Sequence, residues 1–155
     1  MNLEQFTHLI SNVTAFCANK PVDSALGSDL NREFGDSSDL FSQIEQACHQ
    51  GVKDGWMCEN GDDQRRWGRI IKPGDATHGF SVDVVYLRDL VGPHHRHPTG
   101  EIDMIMPIAD SAKFDSNPRG WLVYEADSAH RPTVSEGDAY ILYLLPNGEI
   151  EFTGQ

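Results

Sequence analysis

The sequence predicts one α+β domain, a helical N-terminal third packed on a β-barrel, and three observations carry that expectation. Apolar residues recur at helical spacing up to about residue 51. After Gly55 they alternate with period two, and the alternating runs are short and divided by glycine and proline. A chain of 155 residues buries one core rather than two, so residues 1–155 form a single domain, about 1–55 helical and about 56–155 the barrel.

The elements follow in order. Leu3, Phe6, Leu9, Ile10, Val13 and Phe16–Cys17 make one apolar stripe, which Pro21 ends. An Asp-, Ser- and Asn-rich stretch over residues 23–37 holds a short helix around 28–34. A further helix over about 38–51 repeats the spacing through Leu40, Phe41, Ile44, Ala47 and Cys48, with Gly51 as its C-terminal cap. Phe80, Val82, Val84 and Tyr86 then alternate with Ser81, Asp83, Val85 and Leu87, and further strands are expected at 66–71, 101–106, 121–124 and 139–145. Pro146-Asn147-Gly148 turns the chain into 149–152 as a hairpin. Many short strands at short spacing make a sandwich or a barrel. There is no internal repeat and no low-complexity tract.

Composition narrows the partners. The net charge is −12, from 24 acidic against 12 basic side chains, a balance that repels phosphate backbones and argues against nucleic acid and anionic membrane. An anionic small molecule stays open, because a local basic pocket can override the global field. Cys17, Cys48 and Cys58 cannot all pair among themselves and lack C-x-x-C spacing, which fits free, buried thiols in a reducing compartment. The N-terminus has no basic, apolar leader, and no run approaches the roughly 18 apolar residues of a membrane helix. A cytoplasmic location is expected. Barrel edges and the N-terminal helices offer surface for a homodimer.

The chemistry concentrates in Gly92-Pro93-His94-His95-Arg96-His97-Pro98-Thr99-Gly100-Glu101. Side chains two apart on a strand share a face, so His95 and His97 aim two imidazoles at one point. A hairpin through Pro98-Thr99-Gly100 then returns Glu101 beside them. Two imidazoles and a carboxylate with open positions suit Fe(II), Mn(II), Ni(II) or Zn(II), and His130 is the candidate fourth ligand. The alternative is a solvated histidine-rich loop. His94 falls on the opposite strand face, and Asp103 shares Glu101's face, either supporting a ligand or lying in solvent.

These residues resemble the cupin family. Gly92…His95-x-His97-x-x-x-Glu101 is similar to its first metal motif; in the second, Glu125 and Asp127 stand where proline and glycine are usual, and His130 is kept. A closer resemblance spans most of the chain. Arg66-Trp67-Gly68-Arg69-Ile70-Ile71-Lys72-Pro73-Gly74, Thr77-His78-Gly79-Phe80-Ser81-Val82-Asp83, the histidine segment, Ser128-Ala129-His130-Arg131-Pro132-Thr133-Val134 and the closing stretch from Leu142 to Phe152 resemble the 4-hydroxylaminobenzoate lyase family. That resemblance implies helices packed on a cupin-type double-stranded β-barrel (jelly roll). It also implies conversion of 4-hydroxylaminobenzoate to 3,4-dihydroxybenzoate with release of ammonia, a step in bacterial nitroaromatic breakdown.

Such a reaction asks for named groups. Hydroxide must leave the N–O bond, water must add to the ring carbon beside the nitrogen, and an imine must be hydrolysed. A divalent metal serves as Lewis acid or lowers the pKa of water, and Glu101 is a candidate proton shuttle if not held firmly on the metal. For a small aromatic carboxylate substrate, Arg69 is the preferred clamp within the basic cluster Arg65, Arg66, Arg69 and Lys72, with Arg131 beside His130; a solvated basic strand edge is the alternative for each. Tyr140 and Tyr143 face opposite sides, and Tyr143 is the one expected in the cavity. Trp67 and Phe80 either stack on an aromatic ring or pack in the core. An iron-dependent dioxygenase acting on an aromatic substrate and a non-enzymatic ligand-binding cupin are the two rival readings.

Overall fold

The computed structural model describes residues 1–155, beginning with three helices. Helix α1 (Leu3–Cys17) starts at a capping box between Asn2 and Gln5 and buries Phe6, Ile10, Val13 and Cys17. Its C-cap is Ala18, so it ends before Pro21 is reached. Helix α2 (Ser24–Glu33), capped by Asp23, begins earlier than the short helix expected around 28–34. Helix α3 (Asp39–Asp54) is capped by Ser38 and closes on Gly55, which has φ +86°. Gly51, the expected cap, lies inside α3 instead. It lets the helix approach Met57, whose sulfur would sit 2.7 Å from a Cβ at that position.

The rest of the chain forms two antiparallel sheets. The larger contains β1 (Asn60–Gly61), β2 (Arg65–Ile71), β3 (Phe80–Val91), β5 (Glu101–Pro107), β7 (Gly120–Tyr124) and β9 (Thr133–Pro146), in the order β1-β2-β3-β9-β5-β7, with β6 (Lys113–Phe114) paired to β9. The smaller contains β4 (His95–His97), β8 (Ser128–His130) and β10 (Glu151–Phe152), in the order β10-β4-β8.

Period two in the sequence becomes two apolar layers. Phe80, Val82, Val84 and Tyr86 join Ile102, Met104, Tyr140, Leu142 and Leu144 against the buried stripes of the three helices. The alternate residues Leu87, Ile105, Ala139, Ile141, Tyr143 and Leu145 form a second cluster on the other face, inside the barrel. The large sheet is therefore covered on both sides, and every residue of β5 is buried. Helix α2 also covers the free edge of β7: Asn31 accepts the Trp121 backbone N–H at 2.8 Å and donates to its carbonyl at 2.9 Å.

Two expected hairpins are corrected. Pro146-Asn147-Gly148 does turn, with the Gly148 N–H on the Leu145 carbonyl, but the outgoing strand crosses to the other sheet. Glu151 pairs with Arg96 and Phe152 with His95. Likewise β4 and β5 do not pair with each other; the turn at Pro98-Thr99-Gly100 carries the chain from the small sheet to the large one. A sandwich corner satisfies the same turn residues as a hairpin, which is why local sequence reads the same for both. All three cysteines are free and buried, and no helix is long and apolar enough to cross a membrane.

Candidate metal centre

The corner between β4 and β5 builds the site. His95 and His97 project from β4 towards the barrel interior, and His130 on β8 is the register partner of His95. Glu101, the first residue of β5, reaches them from the opposing sheet. Its carboxylate lies 3.3 Å from His95 Nε2, 3.3 Å from His97 Nε2 and 3.4 Å from His130 Nε2. One donor atom from each of the four residues falls within 4.8 Å of the others. The structure thus brings together all four side chains singled out in the sequence.

The donor set fits a divalent ion. His97 Nε2 and both Glu101 oxygens are buried yet have no hydrogen-bond partner, a costly arrangement that a cation among them would relieve. The histidine tautomers agree. The Ser128 hydroxyl donates to the Glu125 carbonyl at 2.6 Å, so at its 2.8 Å contact with His97 Nδ1 it must accept. That places the proton on Nδ1 and leaves the Nε2 lone pair facing the centre. His130 Nδ1 donates to Asp115 Oδ2 at 2.6 Å with the same result.

Charge is distributed in keeping with this. Burial alone would raise the Glu101 carboxyl, but the contacts from His130, His95 and His97 hold it well below the usual range. Burial, followed by the negative charge of Glu101 next to it, pushes the Asp103 carboxyl well above its ordinary value. Asp103 is fully buried, and its oxygens meet no donor. Of its two expected roles the solvated strand residue is corrected, because β5 is covered on both faces.

A cavity of about 210 Å³ opens on His95. Tyr143 lines it and Tyr140 does not; Tyr140 lies in the helix-side core. The Tyr143 ring is 6.4 Å from the His95 ring, and burial first, then Glu101 and Asp103, raise its phenol well above the usual value. Trp67 and Arg69 line the same cavity. Arg69 is engaged there, donating to both oxygens of Asp83 at 2.8 and 3.2 Å and to the Gly148 carbonyl. Arg131 lies outside the cavity and donates to the Gln155 carbonyl. Phe80 belongs to the helix-side core.

Sequence reasoning missed Asp115, which holds His130, and Ser128, which holds His97. Asp115-Ser116-Asn117-Pro118 reads only as a turn, and both Asp115 and Ser116 have positive φ. Nothing local says that the turn aims its carboxylate at a histidine fifteen residues later.

A double-stranded antiparallel barrel with three histidines and a glutamate converging inside it is a cupin-type architecture with a site suited to a divalent metal. The family model described as 4-hydroxylaminobenzoate lyase matches residues 8–152, and the chain belongs to that family. It is a lyase of cupin type. The 4-hydroxylaminobenzoate lyase of Nocardioides sp. (strain LMS-CY) is 29% identical over 144 residues, covering 86% of this chain and 85% of the relative. The enzyme of the same name from Pseudomonas putida is 28% identical over 144 residues, covering 81% of each. Among solved structures, a DMSP lyase from Ruegeria pomeroyi DSS-3 is similar at a TM-score of 0.49 and 16% identity, over 76% of this chain and 70% of that one.

Proposed function

We propose that this chain converts 4-hydroxylaminobenzoate to 3,4-dihydroxybenzoate and ammonia, with a divalent metal held by His95, His97, Glu101 and His130. The observation that carries the reading is the convergence of those four donors, with one of them, His95, opening on a cavity that also presents Tyr143, an indole and guanidinium groups. The names of the two curated relatives supply the substrate.

The reaction consumes one water and releases one ammonia. The N–O bond breaks as its hydroxyl departs with a proton, water adds at the ring carbon beside the nitrogen, and hydrolysis of the resulting imine frees ammonia before the ring regains aromaticity. A divalent ion (Fe, Mn, Ni or Zn) held by His95, His97, Glu101 and His130 would supply Lewis acidity. Tyr143 has a hydroxyl that no protein group uses and is the donor for the departing oxygen. Glu101, ionised at neutral pH, accepts a proton from the adding water in this reading if it is not held firmly on the metal. Trp67 offers an apolar wall to the ring, and an arginine of β2 receives the carboxylate. The working form is taken to be a cytoplasmic homodimer.

Metal-replete protein incubated with 4-hydroxylaminobenzoate should yield ammonia and 3,4-dihydroxybenzoate in equal amounts, and His97→Ala should abolish both. No ammonia from metal-replete wild type overturns the reading. Oxygen uptake on adding 3,4-dihydroxybenzoate would indicate a dioxygenase instead.

A further inference from the structure

We propose that Arg65, laid on the indole of Trp67, is the anchor for the carboxylate of an aryl carboxylate substrate and sets the preference for acids over neutral aromatics. The inference rests on the reading that this cavity takes the aromatic substrate. Strand alternation places Arg65, Trp67 and Arg69 on one face of β2, and all three line the cavity. Of the arginines weighed for this role, Arg69 already holds Asp83 in a two-point ion pair, and Arg131 donates to a backbone carbonyl outside the cavity.

Arg65 is different. Its guanidinium makes neither a hydrogen bond nor an ion pair; Asp62 takes only its backbone N–H. What holds it is the Trp67 ring, whose centroid lies 4.4 Å from the guanidinium carbon. Stacking fixes the plane of the fork while leaving its N–H edge free, the geometry a carboxylate accepts in two parallel bonds.

Charge and distance point the same way. A benzoate entering this chain meets a net charge of −12 and the ionised interior carboxylate of Glu101. It loses hydration as well, so it needs a cation that is not already neutralised. Asp83 neutralises Arg69, which leaves Arg65. Arg69 also shares its cross-strand row with Tyr143, through Asp83. Arg65 pairs with Leu87 and Leu87 with Ala139, four residues along β9 from Tyr143, or roughly 13 Å at strand spacing. A benzene ring fits between the two rows, which favours a carboxylate opposite the reacting nitrogen.

Binding of 4-aminobenzoate, which lacks the N–O bond, and of neutral 4-aminobenzamide to the metal-loaded chain tests this by calorimetry. Wild type should prefer the acid, and Arg65→Gln should weaken the acid by about tenfold to a hundredfold while leaving the amide unchanged. Arg65→Lys should recover part of the loss, and unchanged thermal midpoints should show that both variants fold. The double variant Arg69→Gln/Asp83→Asn should keep the preference. Equal affinity for acid and amide in wild type, or full acid affinity in Arg65→Gln, overturns the proposal. The probes need no turnover, so Arg65-dependent binding without ammonia production rejects the reaction and keeps the anchor. Ammonia production that ignores Arg65→Gln does the reverse.

Discussion

Asp115 Oδ2 accepts a hydrogen bond from His130 Nδ1 at 2.6 Å and another from the Tyr124 hydroxyl at 2.5 Å, while Oδ1 takes the Thr133 N–H at 2.9 Å. One carboxylate thus orients the candidate fourth ligand and raises its basicity. Asp115→Asn removes the charge and one acceptor. Metal affinity should fall about tenfold to a hundredfold, read by competition with a chromophoric chelator, with the circular dichroism spectrum retained. Unchanged affinity would mean that His130 is oriented by something else or binds no metal.

The same contact dictates how the chelator-treated protein responds to pH. Burial works to lower the His130 imidazolium, but Asp115 and then Glu101 outweigh it and raise the pKa from 6.5 to about 9. The folded chain therefore keeps a proton that the unfolded chain releases above 6.5. That contribution is complete below pH 6.5 and is lost as pH rises through 9, with an upper bound of about 3 kcal/mol. The raised Asp103 carboxyl acts in the same direction. Urea unfolding after chelation should show stability falling between pH 6.5 and 9, and loading a divalent ion should flatten the slope because the ion replaces the proton's charge. Stability that climbs over this window contradicts the account.

What the sequence made legible was whatever is periodic or local. The stripe from Phe6 to Cys17 and the alternation from Phe80 to Leu87 gave helix and strand because each reports which side meets the core. His95, His97 and Glu101 were found through spacing. The errors share one cause: Gly51, Gly148 and the turn before Glu101 carry the same local chemistry whether the chain caps a helix, closes a hairpin or changes sheet. Only the tertiary partners, Met57 at Gly51 and Arg96 opposite Glu151, decide among those outcomes. Asp115 and Arg65 were not resolved for a related reason. The role of each depends on which neighbouring charges are already paired.

The turn that delivers Glu101 is vulnerable at Gly100. Its φ is +96°, and a Cβ there would lie 2.7 Å from Val22 Cγ1 and 3.0 Å from the Tyr124 carbonyl. Gly100→Ala should therefore strain the backbone and crowd two neighbours, lowering unfolding free energy by about 1–3 kcal/mol. It should also weaken metal binding, because Glu101 is the next residue. Denaturant titration and chelator competition on the same preparation check both effects. A variant as stable as wild type would show that the corner relaxes without cost.

Tyr143 separates chemistry from folding. Its ring is buried and packs 6.4 Å from both His95 and Phe114, whereas its hydroxyl bonds to no protein group. Removing that oxygen leaves the ring's packing in place and no protein group without a partner, so Tyr143→Phe should change stability by less than about 0.5 kcal/mol. If the hydroxyl donates to the departing oxygen, kcat on 4-hydroxylaminobenzoate should drop by about 10²- to 10⁴-fold, with metal affinity unchanged. Single-turnover rates at saturating substrate, set beside thermal midpoints, distinguish the outcomes. Wild-type turnover in Tyr143→Phe would move the proton donor elsewhere in the cavity.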